Sequence, residues 1–167
     1  MGELGRRLVR MDRASLLKEL TRAYADEWFA HYNFQFTANA IWGHHSPSTT
    51  ALLSRKSVEA FARANRLAQR ILQLGGQPIH KLTELVEHAS DKPFKLPKSM
   101  ADVHSVLTAV LDAERTSLRT YHRLYSLTRV KDPVTALLAQ EYLAAVVQGE
   151  EELERLIGDH ARGMKGT

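Results

Sequence analysis

The stretch GGQPIHKLTELVEHASDKPFKLPKS, Gly75–Ser99, decides how this chain is organised. It opens on two glycines, carries Pro78, Pro93 and Pro97, and holds one short amphipathic piece, KLTELVEHA at Lys81–Ala89. Glycine ends helices by taking the left-handed conformation and proline cannot continue them, so the stretch reads as a long link. The other prolines, Pro47 and Pro133, follow Ser46 and Asp132. Each pair reads as an N-cap with proline at the first helical position, where a missing N–H costs nothing. Ser99 with Asp102 resembles a capping box, and Gly158 reads as a second C-terminal stop. Four helices are predicted, over 13–42, 47–74, 100–130 and 133–157.

Periodicity agrees with that division. Leu17, Leu20, Tyr24, Glu27, His31, Phe34, Ala38 and Ile41 recur at spacings of three and four in the first helix. Leu53, Ala60, Ala64, Leu67, Ile71 and Leu74 do so in the second. His104, Leu107, Leu111, Glu114, Leu118 and Tyr121 line one face of the third, and Leu138, Tyr142, Val146, Gly149, Leu153 and Leu156 one face of the fourth. Each set is an inward stripe. There is no strand pattern. Links of about four and about two residues make helices one and two, and three and four, antiparallel neighbours. One long crossover between two such pairs, here between helices two and three, predicts an all-α ferritin-like four-helix bundle over 13–158. A basic tail at 1–12 and a short tail at 159–167 flank it.

Composition narrows the function. Apolar residues at 44% and charged residues at 25% are ordinary globular usage, so a wholly disordered chain is excluded. The absence of cysteine excludes disulfides, Cys-ligated metal and a thiol nucleophile. Lys and Arg number 23 against 19 Asp and Glu, a net charge of +4, which is mildly basic. MGELGRRLVRMDR lacks the apolar core of a secretory leader, and no apolar run is long enough to span a membrane, so a cytoplasmic protein is expected.

Bundles of this kind build a di-iron site from one Glu on each of two helices and a Glu-x-x-His pair on each of the others. Glu27 and Glu114, on the inward stripes of helices one and three, fit the two single positions. ADEWFAHYNF (Ala25–Phe34), ANRLAQRILQLGGQP (Ala64–Pro78), DAERTSLRTYHRL (Asp112–Leu124) and KDPVTALL (Lys131–Leu138) resemble the bacterioferritin-related and DNA-protection-during-starvation proteins. That resemblance implies a hollow shell that oxidises and stores iron. It also shows a departure. Counted back from RILQLGG, the Glu-x-x-His of helix two falls on Ala60 and Arg63; counted back from LERLI (Leu153–Ile157), that of helix four falls on Val146 and Gly149. All four ligands are replaced, and no Glu-x-x-His occurs anywhere in the chain.

Without metal, Glu27 and Glu114 need a counter-charge or protons. Arg63 is permanently cationic, and Ala60 and Gly149 leave room for it, so Arg63 is expected to pair with Glu27, Glu114 or both. Otherwise Arg63 reaches outward and the glutamates are protonated or hydrated. His31, one turn after Glu27, is a weak candidate ligand; a hydrogen-bonded core histidine is the simpler reading. Tyr32 and Tyr121 match aromatics beside the site in the resembling proteins. His44 and His45, in the first tight link, are read as solvated over a pore or surface metal site.

Helix one is crowded with aromatics between Tyr24 and Trp42, several of them off its inward stripe, so a second buried face is expected, at the two-fold dimer that the resemblance implies rather than under the long crossover. The resemblance to bacterioferritin places haem on a methionine of the dimer interface, and since no methionine lies inside helix two, no haem is expected. Too few residues follow Gly158 for a fifth helix, which by fold analogy favours a 12-subunit homo-oligomeric shell. Arg6, Arg7, Arg10, Arg13, Arg162 and Lys165 at the ends are read as solvated tails, with salt-sensitive DNA binding the weaker alternative. Glu150, Glu151, Glu152 and Glu154 read equally as a solvated face or a cation-attracting one. The expectation is a cage subunit with a disabled ferroxidase centre and no cofactor, assembling with itself or with an active ferritin-like paralogue. The alternatives are iron storage through a reduced or relocated site with iron at low occupancy, and a nucleoid protein.

Overall fold

The structure, a computed structural model, describes residues 2–43, 46–90 and 96–163. Among these residues every regular element is a helix: α1 Glu3–Arg7, α2 Arg13–Ala40, α3 Ser46–Gln73, α4 Leu82–His88, α5 Val103–Thr128 and α6 Pro133–Gly163. Local chemistry starts and stops them. Asp12 caps α2 by accepting the Ser15 backbone N–H at 2.8 Å and its hydroxyl at 2.7 Å. Asp102 caps α5 by accepting the Ser105 N–H at 3.1 Å. At the end of α3, Gly75 takes φ +74° and the N–H of Gly76 reaches the Ile71 carbonyl at 2.9 Å, the six-to-one bond of a Schellman ending.

Pairing partners fix the topology. Arg13 reaches Gly75, Glu27 reaches Arg63 and His31 reaches Ser57, so α2 and α3 are antiparallel. Tyr121 packs on Tyr142 and Arg115 pairs with Glu150 and Glu154, so α5 and α6 are antiparallel. Arg55–Glu152, Arg66–Glu141 and Arg70–Asp132 make α3 antiparallel to α6. It follows that α3 and α5 run parallel, and the link between them travels the length of the bundle. This is the ferritin-like connection, not the up-down-up-down one.

The apolar core falls into two halves. One gathers Leu16, Leu20, Tyr24, Leu67, Ile71 and Leu124 with Val146; the other gathers Phe34, Leu53, Ala60, Val106, Leu111 and Leu153. Glu27, Arg63 and Glu114 lie in sequence between the residues of the two halves on their own helices. A second buried polar node sits near the α5–α6 turn. Arg70 grips both oxygens of Asp132 at 2.9 and 2.8 Å and donates through Nε to Thr135 at 2.8 Å.

Several local expectations change. Asp102 itself is the N-cap of α5, so Ser99 and Asp102 do not form a box. Gly158 does not stop the last helix, which runs on to Gly163. A mid-helix glycine costs only about 1 kcal/mol and ends a helix only when it turns left-handed, which Gly158 does not. The N-terminal segment carries the short helix α1, and Val9 and Met11 pack on the core. Part of the second face of α2 is covered within the chain: Leu85 of α4 joins the core beside it, and the Tyr24 hydroxyl donates to the Ile79 carbonyl at 3.3 Å. His44 and His45 lie outside the described residues.

Candidate functional site

The inward stripes of α2 and α5 carry Glu27 and Glu114 into the bundle centre, where they are 1% and 5% exposed. A bare carboxylate at such depth would lose several kcal/mol of hydration, on the order of 3 or more, so each needs a partner. Two cations on α3 supply them. Arg63 donates from Nε to Glu27 Oε1 at 2.9 Å. Lys56 is buried as deeply as the glutamates and donates from Nζ to Glu114 Oε1 in a very short contact. The Tyr121 hydroxyl makes a similarly short bond to Glu27 Oε1. Two carboxylates and two cations leave the centre formally neutral.

Gly149 is what gives the Lys56–Glu114 pair its space. A Cβ at that position would stand 2.6 Å from Glu114 Oε1 and 2.7 Å from Lys56 Nζ, so any side chain there displaces the pair. Ala60 and Val146 are buried in the two apolar halves. Glu27 Oε2 has no hydrogen-bond partner among the described residues. Burial pushes the Glu27 carboxyl above the usual glutamate range, against the opposing pull of Arg63 and Tyr121. Arg63 stays protonated: desolvation is the largest single influence on it, and the pull of Glu27, Tyr121 and Glu114 together more than offsets it. The Tyr121 hydroxyl is held well above its ordinary value by burial first and by Glu27 second, so it acts as a donor.

The sequence reading missed Lys56. Its signal was a lysine between Leu53 and Ala60 on an otherwise apolar stripe, two turns before Arg63. His31 goes elsewhere. Its Nδ1 lies 2.9 Å from the Ser57 hydroxyl and 3.0 Å from the Ser57 carbonyl, and its ring packs against Trp28 and Phe61. Tyr32 does not stand beside the glutamates. It is 66% exposed and stacks on Phe36, because its position on α2 faces away from the stripe.

A di-metal centre does not fit these residues. Both carboxylates are engaged by cations, and two divalent ions would meet an ammonium and a guanidinium in the space they need. Among the described residues, no group of three or more His, Asp or Glu side chains could hold a metal ion. At the charged ends, Arg7 pairs with Glu3, Arg13 donates to the Gly75 carbonyl and Arg162 pairs with Asp159. Lys165 and the side chain of Arg6 lie outside what the structure describes. Glu150 and Glu154 hold Arg115, and Glu152 holds Arg55. No helix among the described residues is long and apolar enough to cross a membrane.

Two antiparallel helix pairs joined by a bundle-length crossover, with glutamates facing each other at the centre, define a ferritin-like protein. The chain belongs to the ferritin-like domain family, whose model matches residues 17–162. It is similar to the DNA protection during starvation protein of Pyrococcus furiosus, with 28% identity over 174 aligned positions covering 99% of this chain and 94% of that one. Among solved structures it is similar to a dodecameric thioferritin, the bacterioferritin-related protein of Bacteroides fragilis. The TM-score is 0.89 and the identity 26%, over 94% of this chain and 92% of that one. Dps of Thermosynechococcus elongatus shares the fold at a TM-score of 0.79 and 18% identity, covering 93% and 95% of the two chains.

Proposed function

We propose that this chain is a structural subunit of a ferritin-like cage, in which ion pairs have taken the place of the di-iron centre. The observation that carries the reading is the pairing of Glu114 with Lys56 and Glu27 with Arg63, in a centre where the first pair fills the space beside Gly149 that a ligand side chain would need. A neutral, packed centre ties α2, α3 and α5 together but offers no open coordination position, and iron oxidation needs one. The cage wall is then this chain's contribution, and iron chemistry, where needed, falls to an active ferritin-like paralogue in the same shell.

Assembly is supported by the outer face of α2. Tyr32 and Phe36 are exposed there, Tyr32 lining an apolar groove with Leu82 and Val86 of α4, and on α3 Val58 and Phe61 are exposed as well, with the Phe61 ring against Trp28. Pairing of two copies across this face covers it, and the twelve-subunit state of the Bacteroides fragilis relative sets the expected number. The decisive experiment loads the purified assembly with ferrous salt and peroxide and follows iron oxidation and metal content, with subunit number from native mass spectrometry. Oxidation no faster than in protein-free buffer is expected. Saturable uptake of two irons per chain, abolished by Glu27→Gln or Glu114→Gln, overturns the reading.

A further inference from the structure

Away from the bundle centre, the seam between α2 and α5 holds a cavity of about 320 Å3 lined by three arginines. Arg22 comes from α2, and Arg119 and Arg123 from successive turns of α5. The α5 positions 116, 119, 120 and 123 follow the spacing that puts a helix's side chains on one face, so the seam is built on rigid elements. Glu19 forms part of its wall and organises two of the cations. Its carboxylate accepts from Arg22 at 3.3 Å and from Arg123 at 2.9 Å. Each bond uses one N–H of a guanidinium that has five, so both arginines keep donors for another acceptor. Arg119 donates to the Thr116 hydroxyl at 2.8 Å and has no carboxylate partner among the described residues. Below the seam Asp26 accepts from the Ser90 N–H at 2.5 Å and the Thr120 hydroxyl at 3.2 Å. Among the described residues, three cations against Glu19 and Asp26 leave an excess positive charge, concentrated in a concave site where field lines focus.

We propose that this seam binds phosphate groups. A carboxylate offers one charge and two oxygens, fewer than three converging guanidinium forks can use; a phosphate offers more charge and a third acceptor direction, and matches the planar fork of arginine. The volume takes more than a single phosphate, so the ligand is an oligophosphate or consecutive phosphates of a nucleic-acid backbone. None of the residues involved belongs to the bundle centre, so the site stands whatever metal does there.

The test uses the intact assembly and two probes, inorganic pyrophosphate followed by calorimetry and a short DNA duplex followed by gel shift at low and high salt. Arg119→Ala/Arg123→Ala, two exposed positions, is compared with Arg55→Ala/Arg115→Ala, which removes the same charge from helix faces outside the cavity. The wild type and the control are expected to bind at least one probe, and the seam variant to bind it at least tenfold more weakly with unchanged helicity. Binding of pyrophosphate alone assigns the site to free oligophosphates, and binding of duplex with a reduced salt slope in the seam variant assigns it to a backbone. Failure of the wild type to bind either probe, or equal loss in both variants, overturns the proposal.

Discussion

Arg63 Nε stands 2.9 Å from Glu27 Oε1, and the same carboxylate oxygen takes the Tyr121 hydroxyl while Oε2 is left without a partner among the described residues. One cation and one hydroxyl therefore hold a carboxylate that the surrounding apolar core cannot solvate. Removing Arg63 exposes that debt. Arg63→Met is expected to cost about 3–5 kcal/mol in urea unfolding, because it strands a buried charge. Adding Glu27→Gln to that variant is expected to recover part of the loss, with a coupling of about 1–3 kcal/mol in the double-mutant cycle. Additive losses contradict the pairing.

The same pair has a pH signature. Burial raises the native pKa of Glu27 above its ordinary 4.5, so the folded state holds that proton more tightly than the unfolded chain does. The contribution of Glu27 to stability is then present in full below its unfolded pKa and is lost as pH rises through the native value. Glu27→Gln cannot titrate. The stability of the wild type minus that of Glu27→Gln is expected to fall as pH rises above the ordinary glutamate range. Urea titrations at stepped pH measure this, and a flat or rising difference contradicts it.

Lys56 makes a prediction about metal. Ala60→Glu, Arg63→His, Val146→Glu and Gly149→His together rebuild the two Glu-x-x-His pairs but leave the Lys56 ammonium in the bundle centre, displaced from its bond to Glu114. Cobalt(II) titration is expected to show weak binding by that variant. Adding Lys56→Leu is expected to raise affinity by at least about tenfold, since a unit charge a few Å from the metal is worth more than that factor even at an effective dielectric of about 20. Equal affinity with and without Lys56 means the ammonium does not guard the centre.

Arg70 and Asp132 are as buried as the central pair, at 3% and 0% side-chain exposure. Arg70→Met is expected to cost about 3–5 kcal/mol, because it leaves Asp132 without its counter-ion. Asp132→Ala also removes the cap of α6, whose Thr135 N–H lies 3.3 Å from Asp132 Oδ1, so it loses about 1 kcal/mol more than Asp132→Asn. Urea unfolding of the three variants checks the order.

Helix order, the antiparallel pairs and the long link were legible along the chain, because caps, stops and apolar spacing act over a few residues. The glycine at Gly75 and the proline at Pro133 marked their boundaries for the same reason. Gly158 misled, since a glycine stops a helix only if its backbone turns left-handed, and its neighbours decide that. The inward placement of Glu27 and Glu114 was also legible, being fixed by the spacing of their stripes.

The partners of Glu114 were not. Residue order placed Lys56 on the inward face of its helix. Only the assembled bundle brought its ammonium, at the end of a four-carbon stem, beside a carboxylate on a different helix and into the gap left by Gly149. Backbone periodicity is a local property of the chain. Where a long charged side chain ends is settled by the lowest-cost burial of its charge among neighbours distant in sequence, and those neighbours exist only once the helices have packed.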